Sequence, residues 1–79
     1  MSYMIEVYYR EPEDKAREGR LAECASSHGG RLDYREDPEG AGGPICLTFD
    51  FPTAEQARAA ADSLRDHSER IDGPQDYGE

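Results

Sequence analysis

The stretch GGPICLTFDFPTAEQ, residues 42–56, places a strictly alternating pattern directly before a helix-start signal. Apolar side chains occupy every second position: Ile45, Leu47, Phe49 and Phe51. Such alternation predicts a β-strand that buries one of its faces. The intervening side chains are Cys46, Thr48 and Asp50. The fold must therefore supply a core on one side of this strand, and what lies on the other side is the open question.

A helix is predicted directly after this strand. Pro52 ends the strand, and TAEQ is a capping box in which Thr53 accepts from the backbone N–H of Gln56, whose side chain reaches back. A narrow stripe of mostly small residues follows, made up of Ala54, Ala57, Ala60, Ala61 and Leu64. Because these side chains are small, the helix is expected to lie close against a sheet, and its opposite side is charged and faces solvent.

The N-terminal segment YMIEVYYR, residues 3–10, is predicted to form another strand. Its inner face would carry Tyr3, Ile5, Val7 and Tyr9, and its outer face Met4, Glu6, Tyr8 and Arg10. The next segment, EPEDKAREGRLAECASSHGG, is predicted as a helix with Pro12 in its first turn. Its apolar stripe comprises Leu21, Cys24, Ala25 and His28, and Gly29 with Gly30 supplies the left-handed stop.

Two weaker strands complete the predicted elements. RLDYRE, residues 31–36, is expected to turn Leu32 and Tyr34 inward and Arg31, Asp33 and Arg35 outward. Residues 37–44, DPEGAGGP, are expected to form a connection with a mobile tip. Near the C-terminus only Ile71 and Tyr77 are candidate buried anchors, and Pro74 restricts this segment to a short edge strand. Residues 72–79 are expected to include a frayed tail.

The order strand, helix, strand, strand, helix, strand resembles the ferredoxin-like βαββαβ fold. The resemblance covers the whole chain, as one α+β domain over residues 1–79. It implies a four-stranded antiparallel sheet of order 4-1-3-2 with both helices on one face. It implies no function by itself. We call the uncovered side of the sheet the open face; its predicted residues are Met4, Glu6, Tyr8, Arg10, Asp33, Arg35, Cys46, Thr48 and Asp50.

Charge and hydropathy narrow the possible partners. The formal net charge is −9, which argues against a nucleic-acid backbone or an anionic membrane as partner. No apolar run approaches the length that spans a bilayer, and the first ten residues do not resemble a secretory signal. We therefore expect a cytoplasmic protein.

The sequence offers little for metal or cofactor chemistry, and no cofactor is expected. In this fold His28 and His67 would lie at opposite ends of the molecule, and Cys24 and Cys46 on different sides of the sheet, so no shared metal site is predicted. A catalytic Cys46 would need a neighbouring base or positive charge. Glu6 would raise its thiol pKa, and among its expected neighbours only Arg10 would lower it.

Four known classes of this fold were compared with the chain at their essential residues. The copper-binding type needs C-x-x-C in the first loop, where this chain has REPED. The acylphosphatase phosphate cradle needs glycines in that loop, and REPED has none. The RNA-recognition type needs aromatic residues on the open faces of both central strands, but the strand at residues 45–51 has Cys46, Thr48 and Asp50 there. The amino-acid-binding ACT type needs a small-residue turn in the first loop, which is also absent.

The sequence favours a non-enzymatic acidic domain that acts through protein contacts, with self-association as a homodimer among them. The expected contact surface is the open face or the loop 37–44. Its candidate contact residues are Glu6, Tyr8, Arg10, Cys46, Thr48 and Asp50. Two alternatives remain: a small-ligand-binding or sensor domain, or a minor enzyme that uses the same face. A solvated monomer is the simplest competing state.

Overall fold

A computed structural model describes residues 3–10, 14–37, 43–67 and 70–76. The elements in chain order are β1 (Tyr3–Arg10), α1 (Lys15–Ser27), β2 (Arg31–Glu36), β3 (Pro44–Phe51), α2 (Ala54–Leu64) and β4 (Arg70–Asp76), with a 3₁₀ turn (Arg65–His67) after α2. The four strands form one antiparallel sheet of order β2-β3-β1-β4. This confirms the predicted ferredoxin-like α+β fold.

The hydrophobic core lies between the central strands and the two helices. In the β1–β3 register Ile5 is opposite Phe49 and Val7 is opposite Leu47, and all four are fully buried. The helices contribute Leu21, Ala25, Ala57, Ala60, Ala61 and Leu64 to the same cluster. Burying an aliphatic or phenyl side chain of this size stabilises a fold by about 1.5–3 kcal/mol. The predicted inner faces of the central strands are confirmed, although Tyr3 is only partly buried.

The capping box at α2 is present with one difference in its hydrogen bonds. Thr53 Oγ1 accepts from the backbone N–H of Gln56 at 3.1 Å, as predicted. The Gln56 side chain bends back, but its Oε1 accepts from the Thr53 hydroxyl at 2.8 Å. Both side chains are therefore held at the helix start, which fixes where β3 passes into α2.

Helix α1 begins later than its sequence suggested. Its N-cap is Asp14, whose side chain accepts from the backbone N–H of Arg17 at 2.9 Å. Pro12, placed in the first turn by the sequence, lies outside the described residues. The helix ends in a Schellman motif: Gly29 has φ of +83°, and Gly30 N–H donates to the Ala25 carbonyl at 2.8 Å.

Strand β2 corrects the prediction for its own side chains. Leu32 is opposite Phe49 and Tyr34 is opposite Thr48, so Asp33 is an extra residue that bulges from the pairing. One extra residue reverses the faces that follow it. Tyr34 therefore lies on the open face and Arg35 on the helix side, the reverse of the prediction. Leu32 stays on the helix side but is 47% exposed, so it was wrong to expect it buried.

Strand β4 forms the other edge and pairs with β1 along most of its length. A register shift occurs opposite Ile5, where Gly73 has φ of +109° and is followed by Pro74. Proline at an irregularity of an edge strand costs no central pairing. Ile71 packs against the core as expected, and Tyr77 lies outside the described residues. Residues 72–76 of the predicted tail belong to β4, whereas 77–79 and most of the predicted mobile loop, 38–42, lie outside the described residues.

Candidate functional site

The open face is built from rows of side chains that run across the four strands. The strand registers set Glu36, Cys46, Tyr8 and Arg70 in one row, and Tyr34, Thr48, Glu6 and Asp72 in the next. Beyond the second row lie Arg31, Asp50 and Met4, and beyond the first lie Pro44 and Arg10. All six candidate residues from the sequence thus occupy register positions on this face. The edge-strand members Glu36, Arg70, Asp72 and Tyr34 join them.

Tyr8 and Arg70 stack on one another at the β1–β4 boundary. The Arg70 guanidinium carbon lies 5.0 Å from the centre of the Tyr8 ring, and Arg70 Nη2 also pairs with Asp72 Oδ2 at 2.9 Å. A guanidinium over an aromatic face is attracted by the ring quadrupole. Burial raises the pKa of the Tyr8 phenol to about 12, and nearby Cys46 and Glu6 add to the rise. Tyr8 is therefore a neutral hydrogen-bonding group at physiological pH.

Cys46 lies on the open face and yet is only 6% exposed. Burial raises the pKa of its thiol, and the carboxylates of Glu6 and Glu36 act in the same direction. Hydrogen bonds with Thr48 and Tyr8 oppose this rise without reversing it. Glu6 thus acts in the predicted direction, whereas the groups that lower the thiol pKa are Thr48 and Tyr8 and not the predicted Arg10. A protonated, shielded thiol is a poor nucleophile, so this arrangement suits packing better than covalent catalysis.

Asp50 is the one described side chain with a buried oxygen that has no hydrogen-bond partner, its Oδ1. The other oxygen, Oδ2, lies 3.7 Å from Nη2 of Arg31, whose side chain is 80% exposed. At this distance the two side chains form an ion pair but not a hydrogen bond. The corner of the open face near β2 therefore carries a weakly satisfied carboxylate beside a solvent-facing arginine.

A polar network on the helix side was missed by the sequence reading. Arg35 holds Glu18 with two hydrogen bonds, from Nε at 2.8 Å and from Nη2 at 3.0 Å, and Glu18 accepts another from the hydroxyl of Tyr9. These bonds, those from Arg35 first, keep the pKa of Glu18 below its usual value despite burial. The Tyr9 hydroxyl also accepts from the backbone N–H of Asp14 at 3.0 Å.

This network fixes the start of α1 on the sheet. The Arg17 guanidinium lies over the Tyr9 ring at 5.2 Å, and burial raises the pKa of the Tyr9 phenol. Its members are satisfied by one another, and they join β1, α1 and β2. The only sequence signal for it was an acidic residue four positions after Asp14. Its hydrogen bonds join these elements to one another, which is a structural role.

Within residues 3–10, 14–37, 43–67 and 70–76, no group of three or more His, Cys, Asp and Glu side chains is placed to hold a metal ion. His28 Nε2 lies 3.3 Å from Ser63 Oγ, and both Cys24 and Cys46 are free thiols. The His67 side chain lies outside the described residues, so its separation from His28 stays a prediction.

Comparisons with models of protein families, with curated proteins and with solved structures found no match for the chain. Within the described ranges no helix is long and apolar enough to cross a membrane. The fold assignment therefore stands on the element order and the sheet topology.

Proposed function

We propose that the chain is a non-enzymatic domain that works through protein contacts, and that a second copy of itself covers the open face. The observation that carries the proposal is the charge balance of that face. It holds three arginines and four carboxylates in its described rows: Arg10, Arg31 and Arg70 with Glu6, Glu36, Asp50 and Asp72. This near-neutral surface belongs to a chain of net charge −9.

Charge balance favours a second copy over a basic partner. A basic partner would be attracted by an excess of carboxylates, whereas two copies of an acidic chain repel unless their contact surfaces carry both signs. The first row of the face has a less polar middle, where the partly buried Tyr8 lies beside Cys46, and the charged Glu36 and Arg70 lie at its two ends. A polar rim around a less polar centre is typical of protein interfaces.

The size of the face predicts a modest affinity. Four strands about 4.8 Å apart, of six to eight residues each, span roughly 19 by 24 Å. Two such surfaces bury an area near the lower limit of about 1,000 Å² for specific interfaces. We therefore expect a dimer dissociation constant in the micromolar range, so the average mass measured in solution should rise with protein concentration.

The raised pKa and shielding of the Cys46 thiol weigh against a minor enzyme that uses this face. The alternative of a small-ligand-binding or sensor domain uses the same residues, and the oligomeric state distinguishes it from a dimer. In that reading the chain stays monomeric, and small molecules raise its melting temperature.

Sedimentation equilibrium from about 5 µM to 1 mM tests the proposal, with Tyr34→Glu and Thr48→Glu as disrupting variants. Both add one negative charge to the open face, Tyr34 being 60% exposed in the chain. Ala59→Glu adds the same charge at an exposed site on α2 and serves as the control. The wild type and the control should dimerise, and the two open-face variants should not. A monomeric wild type at 1 mM, or equal dimerisation of all four proteins, would overturn the proposal.

A further inference from the structure

We propose that the two copies pack about a two-fold axis that runs parallel to the strands, between β1 and β3. This arrangement sets Glu36 of each copy against Arg70 of the other. It rests on the proposed function, because it specifies how the open faces meet.

The row Glu36, Cys46, Tyr8, Arg70 has opposite charges at its two ends. Glu36 lies on the edge strand β2 and Arg70 on the edge strand β4. Three strand spacings of about 4.8 Å separate them, roughly 14 Å, which is too far for an ion pair within one chain. Arg70 already pairs with Asp72 of its own chain. Glu36 has only the uncharged Cys46 beside it in the row, so a cation from a second copy would complete its pairing.

A two-fold rotation about the strand direction reverses the row. Glu36 of one copy then faces Arg70 of the second, and the same contact occurs again by symmetry, as in every isologous dimer. In the middle of the row Cys46 faces Tyr8 of the second copy, again twice. The strands of the two sheets stay nearly aligned, which is a common way for two sheets to pack.

The neighbouring row is complementary under the same rotation. It reads Tyr34, Thr48, Glu6, Asp72, so its reversal sets the Tyr34 hydroxyl against Asp72 and the Thr48 hydroxyl against Glu6. A carboxylate removed from water needs hydrogen-bond donors. Here each of the two carboxylates in the row meets a hydroxyl of the second copy.

An axis perpendicular to the strands would exchange the two rows instead. It would set Arg70 against Asp72, but these residues already pair within one chain at 2.9 Å. That arrangement therefore adds no new charge pair. It also leaves Glu36 without a cation, whereas the parallel axis supplies one.

A charge-swap series measured by sedimentation tests this arrangement. Glu36→Arg and Arg70→Glu should each raise the dimer dissociation constant at least tenfold, because two like charges then face each other twice. The double variant restores opposite charges between the copies and should dimerise more tightly than either single variant. It stays weaker than the wild type, because Arg70→Glu also removes the intrachain partner of Asp72. The two residues are too far apart to pair within a chain, so recovery can arise only between copies.

A second swap provides the matched control. Asp62 and Arg65 pair at 2.9 Å on the exposed side of α2, and exchanging them keeps the net charge. That double variant should dimerise as the wild type does. Glu36→Gln and Arg70→Gln, milder changes at exposed edge positions, repeat the test if a reversed charge disturbs folding: each should weaken the dimer, and their effects should not add.

The outcomes separate this inference from the proposed function. A wild-type dimer that Tyr34→Glu disrupts, but that neither single swap weakens, would overturn the parallel axis and leave the function standing. Failure of the double swap to recover would do the same. A wild type that stays monomeric overturns both.

Discussion

Arg35 of β2 and Glu18 of α1 form a bidentate ion pair on the helix side of the sheet, with hydrogen bonds of 2.8 and 3.0 Å. Glu18 also accepts from the hydroxyl of the buried Tyr9. Arg35 further pairs with Asp37 at the end of β2. Because Leu32 and Tyr34 of this edge strand are largely exposed, β2 is attached to the helix layer by this ion pair more than by apolar burial.

Replacing Arg35 should therefore destabilise the fold more than replacing a surface arginine. Arg35→Gln leaves the mostly buried Glu18 carboxylate without its cation, at a cost of about 1.5–3 kcal/mol. Arg35→Lys keeps the charge but loses the two-pronged geometry, so it should recover only part of this. Urea unfolding measures both. Arg65→Gln, which breaks an exposed pair, should stay within about 1 kcal/mol of the wild type, and equal losses at the two sites would contradict the assignment.

The same pair predicts a specific acid sensitivity. The pKa of Glu18 is lowered from its ordinary value of 4.5, chiefly by the hydrogen bonds from Arg35. A carboxyl whose folded pKa is depressed contributes stability that is present above its unfolded pKa and is lost as pH falls through the folded pKa. The free energy of unfolding lost in Glu18→Gln should thus be largest near pH 7 and shrink below about pH 4.5.

Denaturant titrations of the wild type and Glu18→Gln at pH 7, 5, 4 and 3 check this sensitivity. A parallel series with Glu23→Gln, at an exposed position on the same helix, provides the control. The difference in unfolding free energy between the wild type and Glu23→Gln should stay small at every pH. If the difference between the wild type and Glu18→Gln were constant from pH 7 to pH 3, the ion pair would not couple stability to the protonation of Glu18.

The central strands and the start of α2 could be predicted because their signals are local. Alternation in residues 45–51 and the Thr53 cap each needs only a few neighbouring residues. The faces of β2 could not be predicted in this way. RLDYRE alternates well on its own, and the extra residue at Asp33 exists only in the pairing with β3. That single shift moved Tyr34 to the open face and Arg35 to Glu18.

The part of the candidate site on the two central strands could be predicted, and the part on the edge strands could not. Glu6, Tyr8, Cys46 and Thr48 share a face because two regular strands pair without a shift. Their neighbours on the edge strands depend on registers that pass through irregularities in β2 and β4. The residues at the ends of each row, on which the proposed dimer depends, therefore appear only in the folded structure.

Two glycines provide a matched test of packing against the core. A Cβ at Gly30 would lie 2.3 Å from the Phe51 ring, whereas a Cβ at Gly19 of α1 would have nothing within 4 Å. Gly30→Ala should therefore cost about 1–3 kcal/mol by overpacking. Gly19→Ala should stabilise by about 0.5–1 kcal/mol, because alanine favours a helix interior. Thermal unfolding of both variants shows whether each one stabilises or destabilises the protein. A stabilising Gly30→Ala would contradict the close contact with Phe51.

The thiol of Cys46 should be unreactive in the folded protein, in spite of its place on the uncovered side of the sheet. Burial to 6% exposure and a raised pKa both reduce the population of accessible thiolate. In the Cys24→Ser variant, a disulfide reagent at pH 7.5 should label Cys46 at least a hundredfold more slowly in buffer than in denaturant. The Cys46→Ser variant reports the partly exposed Cys24 and should label faster under native conditions. If two open faces meet, the rate at Cys46 should fall further as protein concentration rises, while the rate at Cys24 stays constant. Native labelling of Cys46 as fast as that in denaturant would instead favour a reactive site on this face.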